Sequence, residues 1–162
     1  MKTAAIVLMV LALLVGVCLC YGLYHTQLQV AGKGLEVLPA LERLSQFDAL
    51  KTAVQEQSLQ GTVIRNAPLG SAENYTYYIY SLRLKNLGLV PAEMVEMQIG
   101  PTDNDILFYG DSQEIVIPPG QSKDVWCVLL TDGTPNALRD IYVTYYLWGH
   151  PQEMRYTYDP MR

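Results

Sequence analysis

The chain has 162 residues, half of them hydrophobic, with 11 Lys and Arg against 16 Asp and Glu and a formal net charge of −5. That acidic balance excludes the basic footprint a nucleic-acid partner needs, and it gives no general attraction to an anionic lipid surface.

The chain opens on Met1-Lys2-Thr3, and residues 4–24 behind it carry no charged side chain. At ~1.5 Å rise per residue this run covers roughly 30 Å, the thickness of a bilayer's hydrocarbon core. A single-pass transmembrane signal-anchor is expected, with membrane lipid as the partner of residues 4–24. Lys2 and the amino terminus are the only positive charges before the run, and the next is Lys33. By the positive-inside tendency, residues 1–3 stay cytoplasmic and residues 25–162 lie outside. A cleaved signal peptide shares this pattern. Against cleavage, the run is longer than a signal core and lacks an Ala-x-Ala site, which Cys18 and Cys20 imitate only weakly. A lipoprotein cysteine would need a small residue before it, where Val17 and Leu19 stand. Tyr21 and Tyr24 fall where an aromatic belt anchors a helix end.

Beyond the run the chain carries all 16 acidic residues and ten of the 11 basic ones, so the exported part is more acidic still. It has a single cysteine, Cys127, and so no intrachain disulfide; within an apolar strand this residue reads as a small core hydrophobe. Residues 25–57 read as a juxtamembrane stalk. Gly32-Lys33-Gly34 suggests a flexible exit from the membrane. Pro39 then opens an amphipathic helix over 39–57, with Leu41, Leu44, Phe47, Leu50 and Val54 at spacings of three or four.

From residue 58 to 160 the period changes to two. Strands are expected over 59–65, 75–85, about 95–99, 106–109, 114–117, 123–130, 141–148 and 153–158, separated by Gly, Pro, Asn and Asp turns. In the second of these, Tyr78, Tyr80, Leu82 and Leu84 share one face, while Tyr77, Ile79, Ser81, Arg83 and Lys85 share the other, expected to meet water. Asn86-Leu87-Gly88 makes a turn, with Asn86 bonding its own backbone and Gly88 free to take positive φ. Val95, Met97 and Ile99 face inward, Glu96 and Gln98 outward. Many short strands with no βαβ alternation predict an all-β, antiparallel β-sandwich.

The segment from Tyr80 through Asn86 and Gly88, and the turn Ile117-Pro118-Pro119-Gly120-Gln121-Ser122 leading to Val125, resemble the turns of bacterial cell-surface immunoglobulin-like modules of the cell-adhesion-related (CARDB-like) kind. The likeness covers roughly half of the chain. It implies an immunoglobulin-like sandwich in a bacterial cell envelope, serving as a spacer, adhesin or accessory domain. A single module directly behind an anchor departs from a long adhesin array.

Catalytic chemistry is sparse. His25 sits at the membrane exit and His150 in a turn before Pro151, neither with an obvious second ligand or nucleophile. Asp103, Asn104, Asp105 and Asp111 offer oxygen donors that would suit Ca²⁺, but without EF-hand spacing they read as a solvated loop, as does the cluster from Thr131 to Asn136. Glu93 and Glu96 read as surface carboxylates. Asn74-Tyr75-Thr76 fits a glycosylation sequon. No enzyme, cofactor or metal is expected. The aromatic excess, twelve Tyr against two Phe, is the remaining signal. Tyr142 and Tyr146 share one face of their strand, opposite Tyr145, and Trp148 and Tyr156 or Tyr158 could extend a patch. Exposed Tyr and Trp form protein hot spots or stack on sugars. The expected role is therefore a non-enzymatic envelope protein that docks a protein partner through Tyr142, Tyr146, Trp148 and Tyr156, or scaffolds an envelope assembly. The alternative is a carbohydrate-binding module whose same aromatics hold a glycan.

Overall fold

The computed structural model describes residues 2–24, 28–111, 114–133 and 138–159. The apolar run forms one helix, α1 (Lys2–Tyr24), of which Thr3–Tyr21 is long and apolar enough to cross a membrane. Leu8, Leu11, Leu14 and Val17 point in different directions around it and all are exposed. The helix is thus apolar on every side rather than along one stripe.

The segment expected to be a flexible stalk is instead a long edge strand, β1 (Leu28–Pro39). It pairs antiparallel with β3 (Thr76–Asn86) from Leu28 opposite Asn86 to Pro39 opposite Thr76, with a bulge between Val30 and Gly32. Gly34 lies close to the partner strand, where a Cβ would be 2.6 Å from Ser81 Oγ, while a Cβ on Gly32 would meet Arg83 Cβ at 3.4 Å. A Gly-Lys-Gly triplet is locally indistinguishable from a hinge, and only the partner strand reveals the packing.

Pro39 opens a 3₁₀ turn (Ala40–Arg43) that runs into α2 (Leu44–Gln55). Phe47 and Leu50 are buried, but Leu41 and Leu44 are about half exposed. The 3₁₀ turn advances about 120° per residue instead of about 100°, so the expected stripe slips out of phase at its start. The strand expected over 59–65 shrinks to β2 (Thr62–Val63). It pairs with β5 (Asp105–Gly110), and Gly61 presses so close that a Cβ would meet Phe108 O at 2.5 Å.

β4 (Glu93–Ile99) buries Val95, Met97 and Ile99 and exposes Glu96 and Gln98, as its alternation predicts. Residues 114–117 form no strand. Ile117 makes a lone bridge with Ala92, and Ile115 O accepts the Val95 N–H, while both Ile side chains are buried. The Pro118-Pro119 pair that follows removes two donors, so no ladder can extend there. β6 (Ser122–Thr131), β7 (Arg139–Leu147) and β8 (His150–Tyr158) complete the chain. The turn between β7 and β8 falls on Trp148-Gly149, with φ of 53° and 73°, and His150 and Pro151 already belong to β8. Two consecutive residues at positive φ match the right-handed twist of a tight hairpin.

The strands form two antiparallel sheets, β1-β3-β6-β5-β2 and β4-β7-β8. Between them lies the main core, built from Tyr80, Leu82 and Leu84 of β3, Val125, Cys127 and Leu129 of β6, and Val95, Met97, Ile141, Val143 and Tyr145 from the smaller sheet. The second face of β3 is only partly wet. Arg83 and Lys85 are exposed, but Tyr77 is buried with Ile106, Leu107 and Leu130 beneath Phe47 and Leu50 of α2. The structure is thus a β-sandwich with a helix laid over one end of its larger sheet.

Candidate functional site

The residues nominated from the sequence fall in three places. β7 alternates strictly: Arg139, Ile141, Val143, Tyr145 and Leu147 are buried, and Asp140, Tyr142, Thr144 and Tyr146 stand half-buried on the outer face of the smaller sheet. Tyr142 lies between Gln98 and Arg155, and Tyr146 between Glu93 and Pro151. Tyr156 pairs with Ile141 and packs partly buried against the main core, on the opposite face from Tyr142. Trp148 is exposed at the hairpin tip. The structure therefore joins Tyr142 and Tyr146 on one surface and separates Tyr156 from them. Period-two counting places residues within one strand, but the facing of β8 depends on its register with β7.

That outer face is largely acidic. Glu96 and Glu153 flank Thr144, and Asp140 accepts from Arg155 at 2.6 Å and from Thr157 at 2.9 Å. The Arg155 hydrogen bond, followed by that from Thr157, holds the Asp140 carboxyl below its ordinary value. A shallow concavity of about 400 Å³ runs along the face, lined by Met94, Glu96, Thr144, Tyr146, Pro151 and Glu153 among others. Two tyrosines four residues apart on a strand are separated by roughly 13 Å. The chemistry on offer is aromatic contact area, hydroxyl donors and negative charge. Glu93 and Glu96 belong to this solvated surface.

In the loop considered for Ca²⁺, Asp105 is committed elsewhere. Asp105 is buried and holds Arg139 in a bidentate pair at 2.7 and 2.9 Å, while also accepting from Thr102 N–H at 2.7 Å and its hydroxyl at 3.0 Å. Among the described residues, no three His, Cys, Asp or Glu side chains converge as a metal site. His25, Pro135 and Asn136 lie outside the described residues. Asp132, from the second turn cluster, pairs with Arg65 at 2.5 Å. Asn74 is exposed in a 3₁₀ turn before β3. Cys127 is fully buried, and burial pushes its thiol up to about 12, so it is inert at neutral pH.

A second concavity was not legible in the sequence. An apolar groove of about 600 Å³ lies between α2 and the larger sheet, lined by Leu38, Arg43, Leu50, Tyr77, Tyr109 and Trp126 among others. Burial, the largest influence, raises both phenols, while the Arg43 charge draws them down. The amphipathic period of 39–57 pointed to a helix that packs, but not to the half-covered sheet beside it.

No family model matches the sequence, and no curated protein matches it either. The chain is similar in structure to the FixG-related protein from Vibrio parahaemolyticus, covering 80% of this chain and 97% of that one at 16% identity and a TM-score of 0.36. It is also similar to the cupredoxin domain of amoB from Nitrosocaldus yellowstonii, covering 83% of this chain and 88% of that one at 12% identity and a TM-score of 0.36.

Proposed function

We propose that this is a non-enzymatic, single-pass membrane protein that holds an immunoglobulin-like sandwich outside the membrane and docks a protein partner on the outer face of the smaller sheet. The observation that carries the docking reading is the pairing of half-buried Tyr142 and Tyr146 on one acidic sheet face, amid Glu96, Glu153 and Asp140. Tyr supplies large, rigid contact area at low entropic cost, and the carboxylates favour a partner segment bearing Lys or Arg. The immunoglobulin-like part is supported by strand order. With β2 set aside, β1-β3-β6-β5 and β4-β7-β8 parallel the ABED and CFG sheets of constant-type domains. Orientation with the N-terminus cytoplasmic is supported by Lys2 ahead of α1.

The test is a crosslinking pulldown from intact membranes with a C-terminal tag, run beside a Tyr142→Ala/Tyr146→Ala variant. One stoichiometric protein should be captured, and lost in the variant while its thermal unfolding midpoint stays close to that of the parent. Equal capture by both forms would remove the face from consideration. Retention on purified envelope glycan, without a protein partner, would replace the reading with carbohydrate binding.

A further inference from the structure

The end of the sandwich nearest α1 carries apolar side chains that the fold does not need. Three residues separate Tyr24 from Leu28, so the first residue of β1 lies within roughly 14 Å of the end of α1. Leu28 is opposite Asn86, which begins the loop to β4. Lys85, just before it, is opposite Ser122 at the start of β6. β7 begins at the far end, where Arg139 binds Asp105, and finishes beside Glu93 at the near end. The 87–92 loop and the Trp148-Gly149 hairpin tip therefore sit together at the end where the chain leaves the membrane.

Both are built to display apolar groups. Asn86 is fully buried and ties the loop down: its Nδ2 donates to Val90 O and Ile117 O at 2.8 Å each, and its Oδ1 accepts the Gly88 N–H at 2.8 Å. Gly88 is not among the glycines at positive φ, so the side chain of Asn86 shapes this turn. From this fixed loop Leu87 is 55% and Leu89 87% exposed, the latter more than any other large apolar side chain among the described residues. At the adjoining tip, Trp148 is 65% exposed and occupies φ 53°, a left-handed position where a bulky residue is strained. Lys85 and Lys123 are exposed on the same end, offsetting Glu93 there in an otherwise acidic domain.

We propose that this end is a second membrane contact, with Leu87, Leu89 and Trp148 seated in the headgroup and upper acyl layer of the bilayer that α1 crosses. Trp favours that layer because its ring is apolar and its N–H can stay hydrated, and Leu gains by leaving water. The contact holds the sandwich upright, so that the far end, about 36 Å along β1, is presented away from the membrane. This rests on the anchored reading of α1.

The chain has only two tryptophans, Trp126 and Trp148. Full-length Trp126→Phe, in which Trp148 is the sole reporter, is incorporated into phosphatidylcholine vesicles brominated near the top of the acyl chains. The protein should float with the vesicles, and Trp148 emission should fall below that in unbrominated vesicles. In the Leu87→Ser/Leu89→Ser background flotation should persist and the quenching should shrink. Trp148→Phe, reporting on Trp126 within β6, should be unquenched. Flotation with an unquenched Trp148, whether a protein or a second copy covers it, overturns the contact and leaves the anchor standing. Equal quenching of both tryptophans overturns it as well, since the domain then lies on the surface without a specific end. A chain that fails to float overturns the anchor and the contact together.

Discussion

Arg139 and Asp105 form the ion pair with most at stake, because each is only 1% exposed and so neither charge reaches water. The Arg139 Nε has no hydrogen-bond partner, while its other nitrogens hold the bidentate pair and a 3.4 Å contact to Gly100 O. Asp105→Ala should cost about 3–5 kcal/mol in urea denaturation, because it strands a buried cation. The double exchange Asp105→Leu/Arg139→Met should recover much of that loss, since an apolar pair needs no compensation. Cys127 gives a pH prediction. Its thiol rises from 9.0 to about 12 on burial. Below pH 9.0 both folded and unfolded chains hold the proton, and the stability is full. Above it the unfolded chain loses the proton first, so stability should fall as pH climbs towards 12. Cys127→Ala should show a shallower decline over the same window in chemical denaturation, with the tyrosines common to both. Burial of Cys127 was legible from the apolar strand around it. The fate of Asp105 was not, because its partner lies 34 residues away and meets it only when β5 and β7 start at the same end.

At the scale of elements, α2 is held by two buried side chains, Phe47 and Leu50, over the outer face of the larger sheet. Phe47 stacks on Tyr75 with ring centroids 5.3 Å apart. Phe47→Ala should lower stability by roughly 3–5 kcal/mol in thermal or urea unfolding, and should open α2 to limited proteolysis first. The helix was legible because its period of three to four is a local property. Which leucines it buries was not, because the 3₁₀ turn at its start rotates Leu41 and Leu44 out of phase. β1 shows the opposite failure. Its Gly-Lys-Gly triplet reads as a break, and pairing with β3 along all of its length overrides that preference. The strand expected at 114–117 kept its buried isoleucines but not its ladder, since Pro118 and Pro119 end the pairing.

For the whole molecule, a helix apolar on every face leads through a short connection into a sandwich whose core excludes water from both sheets. The full-length chain should stay in the pellet when membranes are washed at alkaline pH, and deletion of residues 4–24 should release it. Release of the intact chain would instead mark α1 as something other than a spanning helix. The sandwich is closed around an apolar core. Its interior is filled by Leu, Ile, Val and Tyr, and its buried charges neutralise each other. The two contacts proposed above use aromatics outside that core, the Tyr142 and Tyr146 face and the end bearing Trp148.

From the sequence alone came an apolar run long enough to span a membrane, the mostly β character of the rest of the chain and the inward face of β4 and, in part, of β3. Each depends on spacing within one segment, through helical rise or the two-residue pleat. Tertiary structure alone decided that β1 belongs to the sandwich, that Tyr156 faces away from Tyr142, that Asp105 serves Arg139, and that Leu87, Leu89 and Trp148 share an end. Those outcomes are set by register and proximity between distant segments, and no local pattern encodes a partner that is far away in the chain.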